Sequence, residues 1–202
     1  MIRLAALLVA AFLATSVQAQ DFPSLHRVTG VSASDVLNIR AEPSARAALL
    51  GSFAPGAAGI EVIGLSEDRG WGLVRTNEGV GWSSMRFLSR EVPGSWRDGQ
   101  QSLNCHGTEP FWSMNFFLPD NRAEFLSPDS GGFEVRTDAP FLPSTFGPPT
   151  LALPFQGARE GFAVVRNGVC SDGMSDLLFG LEVQVYFRND IRGISGCCSL
   201  SH

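Results

Sequence analysis

The chain is predicted to be all-β, and three observations carry that expectation. Apolar and polar residues alternate in short runs, those runs are bounded by Gly, Pro, Asn and Asp, and no stretch keeps a long helical periodicity. The same punctuation divides the chain in two. Val92-Pro93-Gly94-Ser95 breaks structure, and Arg97-Asp98-Gly99-Gln100-Gln101 is polar throughout. Residues 91–102 therefore read as a linker between one domain at 25–90 and a second at 103–202. All four Cys fall in the second. The expected architecture is a small barrel followed by an antiparallel β-barrel or sandwich with two disulfides.

The N-terminus has the three-part layout of a secretory signal at residues 1–19. Arg3 supplies the positive start, residues 4–13 are apolar, and Val17-Gln18-Ala19 offers the small residues that a peptidase needs. The apolar run is shorter than the roughly 20 residues of a bilayer-spanning helix. Cleavage after Ala19 is expected, with no stable membrane insertion afterwards and a periplasmic or secreted location. Of the 202 residues, 183 then remain, and the formal charge moves from −5 to −6 with the loss of Arg3. All 15 basic residues are Arg and they form no cluster. That excludes nucleic acid, whose phosphates must be neutralised by Lys or Arg, and electrostatic attachment to anionic lipid.

In the first domain, Val36, Leu37 and Ile39 make a strand that ends at Glu42-Pro43-Ser44. Residues 59–65 follow, with Ile60 and Val62 on one face and Ile63 and Leu65 on the other. Residues 71–76 lead into a tight Asn77-Glu78-Gly79 turn, where Gly79 is expected to take a positive φ. Val80-Gly81-Trp82 returns, and residues 84–88 form a single 3₁₀ turn. The segment 35–40 (DVLNIR), Pro43, Trp71, Gly81-Trp82 and Phe87-Leu88 together resemble the bacterial SH3-like (SH3b) domain. The resemblance covers residues 25–90. It implies a small SH3-like β-barrel that binds cell-wall peptides or other short peptides in a shallow groove. Trp71, at the start of a strand, is expected as an exposed stacking surface, and Trp82 as mostly core.

In the second domain, residues 111–116 alternate, with Trp112, Met114 and Phe116 on one face. Leu181, Val183, Val185 and Phe187 alternate with Glu182, Gln184, Tyr186 and Arg188, the cleanest half-buried strand in the chain. Asn189-Asp190 turns it into residues 191–198. Further strands are expected at 122–126, 133–137 and 162–166. The Pro-rich stretch 141–154 reads as a loop or edge, not a central strand. Cys105, Cys170, Cys197 and Cys198 are an even set in an exported chain, which implies two disulfides. A Cys197–Cys198 bond would force a strained eight-membered ring. On a strand these neighbours point to opposite faces, so one reaches Cys105 and the other Cys170. Spacings of 65, 27 and 1 match no zinc pattern, and no cofactor or metal is expected.

Three motifs stand out: residues 105–112 (CHGTEPFW), residues 170–176 (CSDGMSD) and Gly196-Cys197-Cys198. They resemble a family of bacterial envelope proteins with CxGxEPFW, CxDGMSD and GCC elements, a resemblance that implies no particular activity. At the level of fold, the size and strand number are similar to lipocalin-like cups. Two disulfides that converge on Cys197-Cys198 would bring Glu109, Trp112, Asp172 and Asp176 together. The result is either a polar knot that caps the barrel or a ligand site walled by Trp112. Glu109 is expected to be partly buried and paired with an Arg such as Arg192. A Cys105–His106 nucleophile with Asp172 or Asp176 is disfavoured, because adjacent strand residues diverge and export favours an oxidised thiol. No catalytic residue is assigned. A calcium site at Glu109, Asp172 and Asp176 lacks the EF-hand pattern, and residues 172–176 read as a turn with Gly173 at positive φ.

The expected ligand-binding residues are thus Trp71, Glu109, Trp112, Asp172 and Asp176. The expected function is an exported cell-envelope binding protein for peptides or peptidoglycan fragments. The alternative is an envelope enzyme or inhibitor with its site in the C-terminal domain and the first domain as a targeting module.

Overall fold

The computed structural model describes residues 21–92, 95–141 and 150–201, so the secretory signal expected at 1–19 lies outside the described residues. The molecule is all-β, an open sheet followed by a closed barrel. The sheet holds β1 (Ser24–Val28), β2 (Leu37–Arg40), β3 (Leu49–Phe53), β4 (Ile60–Leu65), β5 (Trp71–Arg75), β6 (Val80–Ser84) and β7 (Leu88–Arg90). Their spatial order is β3-β2-β6-β5-β4-β1-β7, which leaves β3 and β7 at the edges. Alternation along the strands supplies its core: Leu37 and Ile39, Ile60 and Val62, Val74, with Val28 and Leu88. A register shift between Val62 and Gly64 turns Leu65 back onto that core. Strict alternation had placed Leu65 on the opposite face.

The hairpin turn between β5 and β6 is held by Thr76. Its N–H donates to the Gly79 carbonyl at 2.8 Å, and its hydroxyl accepts from the Gly79 N–H at 2.9 Å. Gly79 keeps a negative-side φ, contrary to expectation, because the Thr76 side chain closes the turn without a left-handed residue.

The second half is a meander of β8 (Ser102–Thr108), β9 (Phe111–Phe117), β10 (Arg122–Ser127), β11 (Gly131–Thr137), β12 (Thr150–Gly157), β13 (Gly161–Ser171), β14 (Leu178–Phe187) and β15 (Ile194–Ser201). Each strand pairs with the next, and β15 pairs back onto β8 to close the barrel. Inward positions of β9, β12 and β14 fill it with Trp112, Met114 and Phe116, Leu151, Leu153 and Phe155, and Leu181, Val183 and Val185. Phe125 stacks on Phe133 at 4.8 Å and meets Phe187 edge-on at 5.4 Å. The interior is therefore a packed core, unlike a ligand-holding cup. Burial of each such side chain stabilises by about 1.5–3 kcal/mol.

β12 corrects the reading of residues 141–154, of which 142–149 lie outside the described residues. Thr150 to Pro154 belong to a central barrel strand. Ala152 exchanges both backbone hydrogen bonds with Phe141, so Pro154, two residues on, turns its nitrogen to the same side. There the β11 ladder has already ended at Thr137–Phe155, and the missing N–H of Pro154 interrupts no regular pairing.

Both disulfides are formed, Cys105–Cys198 and Cys170–Cys197. Cys105 and Cys198 face each other across the β8–β15 ladder within the barrel core. Cys197, one residue along, faces outward and takes Cys170.

Side chains from the first half and from the segment between the halves complete the second. Trp96 lies in a 3₁₀ turn (Trp96–Asp98) whose capping box joins the Ser95 side chain to the Arg97 N–H and the Asp98 side chain to the Ser95 N–H. Trp96 is fully buried and belongs, with Leu25 of β1, to the barrel core. Glu61 of β4 is also buried. It accepts the Leu200 N–H at 2.9 Å and pairs with Arg75 at 2.9 Å. The Arg75 guanidinium in turn lies 5.0 Å over the Phe179 ring of β14.

Candidate functional site

Two surfaces collect the chemistry. On the first sheet, Leu73 stands directly opposite Trp82, and Trp71 precedes Leu73 by two on the same face. Trp82 also pairs with Arg40 of β2. Val74, on the other face, is core. Trp71, Leu73 and Trp82 are each half-buried, and none belongs to either buried cluster of the described residues. They form an apolar strip on the outer face with Arg40 beside it. Trp71 is fixed by the preceding turn. The Ser66 hydroxyl accepts its N–H at 3.0 Å and donates to Asp68 at 2.6 Å, and Arg69 takes a φ of 59°. The Ser66 hydroxyl and the Gly70 N–H, both donated to Asp68, hold its carboxyl below the usual carboxylate range. Trp82 is thus not the core residue that sequence reasoning expected. The register that brings it onto the face of Trp71 depends on the length of the β5–β6 turn.

On the barrel, a cleft of about 520 Å³ is lined by residues 106–109, 170–172 and 195–197, with Arg166, Glu182 and Gln184. A register shift between Asn167 and Cys170 bends the end of β13, and the Cys170–Cys197 bond ties that end across β14 to β15. The Asp172 carbonyl then accepts the Thr108 hydroxyl at 2.8 Å. The Asp172 carboxylate accepts N–H groups of Met174 and Ser175 at 2.9 and 2.8 Å, which hold its pKa below the usual range. This is the expected turn, with Gly173 at φ 72°. His106 meets Phe179 edge-on at 4.7 Å, and burial lowers its pKa from 6.5. Arg166 and Glu182 pair at 2.5 Å and add no net charge.

The five expected binding residues separate. Glu109 and Asp172 share this cleft. Glu109 is exposed and precedes a cis Pro110, and among the described residues no ion pair joins it to Arg192. Trp112 points into the barrel behind the cleft, with Gly107 and Gly196 where any side chain would collide with its indole. It is core and not a ligand wall. Asp176 leaves the cleft and lies against Gly79 of the first sheet, its carbonyl 3.5 Å from where a Cβ would stand. Trp71 is on the sheet alone.

Compared with known proteins, the chain matches no protein-family model and no curated protein sequence. The site must therefore be read from its own geometry. Among the described residues no group of three or more His, Cys, Asp or Glu is placed to hold a metal ion, and no helix is long and apolar enough to cross a membrane. The two closed disulfides are compatible with an extracytoplasmic setting. Leu73, Trp82 and Arg40 are the residues that sequence reasoning missed. Their signal was the period-2 spacing of Trp71 and Leu73 opposite a returning Trp.

Proposed function

We propose that this is an exported cell-envelope binding protein whose SH3b-like first domain holds peptides or peptidoglycan fragments. The observation that carries the reading is the Trp71–Leu73–Trp82 strip, large apolar side chains that pack into neither core. An indole face offers a flat surface for a peptide plane or a sugar ring, and its N–H a single donor at the rim. Arg40 beside Trp82 adds a cation suited to a carboxylate-bearing peptide stem. Its Nη1 is anchored on the Ala47 carbonyl at 2.7 Å, which restrains the side chain before a ligand arrives. Co-sedimentation with insoluble peptidoglycan tests this. Trp71→Ala and Trp82→Ala should each weaken binding about tenfold, a loss of about 1.4 kcal/mol. Equal binding by wild type and both variants would remove the strip from the account.

A second reading, an envelope enzyme or inhibitor that works in the barrel cleft with the first domain as targeting module, is favoured by His106, a half-buried imidazole on the cleft wall. In that case His106→Asn abolishes the activity while co-sedimentation persists.

A further inference from the structure

The disulfide that shapes the barrel cleft also lines it. Cys170 and Cys197 both stand on the cleft wall, but Cys170 is half-exposed whereas Cys197 is 1% exposed. A thiol that enters the cleft meets the sulfur of Cys170, with that of Cys197 behind it. The other bond, Cys105–Cys198, is sequestered in the barrel core. His106 stands at the Cys197 end. It is the register partner of Cys197 across β8 and β15, so the two side chains leave the wall on the same face. Its ring also meets Phe179, itself the partner of Cys170 across β13 and β14. Both strand pairs that carry the bond thus hold the imidazole beside it. Burial lowers the His106 pKa, so at neutral pH the ring is uncharged and keeps one N–H to donate. Charge completes the site. Arg166 and Glu182 cancel each other. The Asp172 carboxylate is engaged by the N–H groups and hydroxyl of its own turn, and among the described residues Glu109 joins no ion pair. The cleft therefore has a net negative charge.

We propose that the cleft is a thiol–disulfide exchange site, at which a small cationic thiol attacks Cys170. The thiolate of the incoming molecule forms a bond to the Cys170 sulfur, the Cys170–Cys197 bond breaks, and its electron pair leaves on Cys197 as a thiolate. Charge and atoms balance: one thiolate and one disulfide become a mixed disulfide and another thiolate. A second molecule of the same thiol then displaces Cys170, which oxidises two small thiols to their disulfide and reduces the protein bond to two thiols. The buried Cys197 is the better leaving group, because the His106 N–H stands where it can donate to the new thiolate. Exchange also removes the covalent tie between the end of β13 and β15, so the thiol controls the wall of its own cleft. The inference goes beyond both readings above, since exchange needs neither a ligand on the Trp71–Trp82 strip nor proton transfer by His106.

The test treats the folded full chain with cysteamine, 2-mercaptoethanol or 2-mercaptoethanesulfonate, followed by an acid quench, alkylation and peptide mapping. Rates are corrected for the ionised fraction of each thiol and divided by those for a small uncharged disulfide. The expected first product carries the thiol on Cys170 and an alkylated Cys197, with Cys105–Cys198 intact and the near-ultraviolet circular dichroism of the core retained. Cysteamine should react about tenfold faster than the sulfonate, and Glu109→Gln should narrow that ratio. Addition to Cys197 or to the core pair first, an anionic thiol as fast as the cationic one, a ratio unmoved by Glu109→Gln, or exchange only after the core signal is lost would each overturn the proposal.

Discussion

Glu61 shows how a single residue joins the two halves. Its carboxylate is almost wholly desolvated, and burial raises its pKa above 4.5 despite Arg75. The native state therefore holds the proton more tightly than the unfolded chain. The associated stability is complete below pH 4.5 and is lost as pH rises through the elevated value. Glu61→Ala leaves the buried Leu200 N–H without its acceptor and should cost about 1–3 kcal/mol by denaturant titration. Glu61→Gln, which keeps an acceptor oxygen, should cost less and flatten that pH dependence. His106 has the opposite sign. Burial lowers its pKa from 6.5, so its share of stability is present above pH 6.5 and declines as pH falls through the depressed value. As pH falls through that window, wild type should lose thermal stability relative to His106→Asn. Wild type gaining on the variant over the same window would contradict the assignment.

At the scale of elements, the β13–β14 arm is the most consequential. Its bulge and the Cys170–Cys197 bond create the cleft, while Cys105–Cys198 only staples the barrel wall. Cys170 is half-exposed, and both partners of the other bond are at most 1% exposed. A dithiothreitol titration under native conditions should open Cys170–Cys197 first, read by alkylation and peptide mapping. The reverse order would mean that the arm shields its sulfurs better than the barrel does. Removing this bond by Cys170→Ser with Cys197→Ser closes no 27-residue loop in the unfolded chain, and should cost about 3.5 kcal/mol in the chain-entropy account. Strands β9 and β14 were legible in the sequence because one face is apolar and the other polar, and the opposed faces of Cys197 and Cys198 followed from strand geometry alone. β12 was not legible. Pro154 and the prolines just before the strand argue against a central strand, and only the local end of the β11 ladder makes Pro154 tolerable.

The whole molecule behaves as one body in packing. Trp96, from the segment between the halves, and Leu25, from the first strand, both sit in the barrel core. Nothing in the local pattern at residues 91–102 announces this, because a lone Trp among polar residues takes its meaning only from the cavity that receives it. Trp96→Ala should therefore cost about 3–5 kcal/mol, and calorimetry should show one cooperative transition for the full chain. Two resolved transitions would mean that the shared core carries little energy. The candidate site was legible only in part for the same reason. Trp71 could be named from its place on a strand, whereas the alignment of Trp82 and Arg40 with it is a property of the sheet's register. The most direct test of the proposed binding strip uses the four Trp residues as internal probes. In a ¹⁵N-resolved titration with soluble peptidoglycan fragments, the indole N–H signals of Trp71 and Trp82 should move, and those of the buried Trp96 and Trp112 should stay. Four unmoved signals, or movement of Trp112 alone, would contradict a ligand surface on the first sheet.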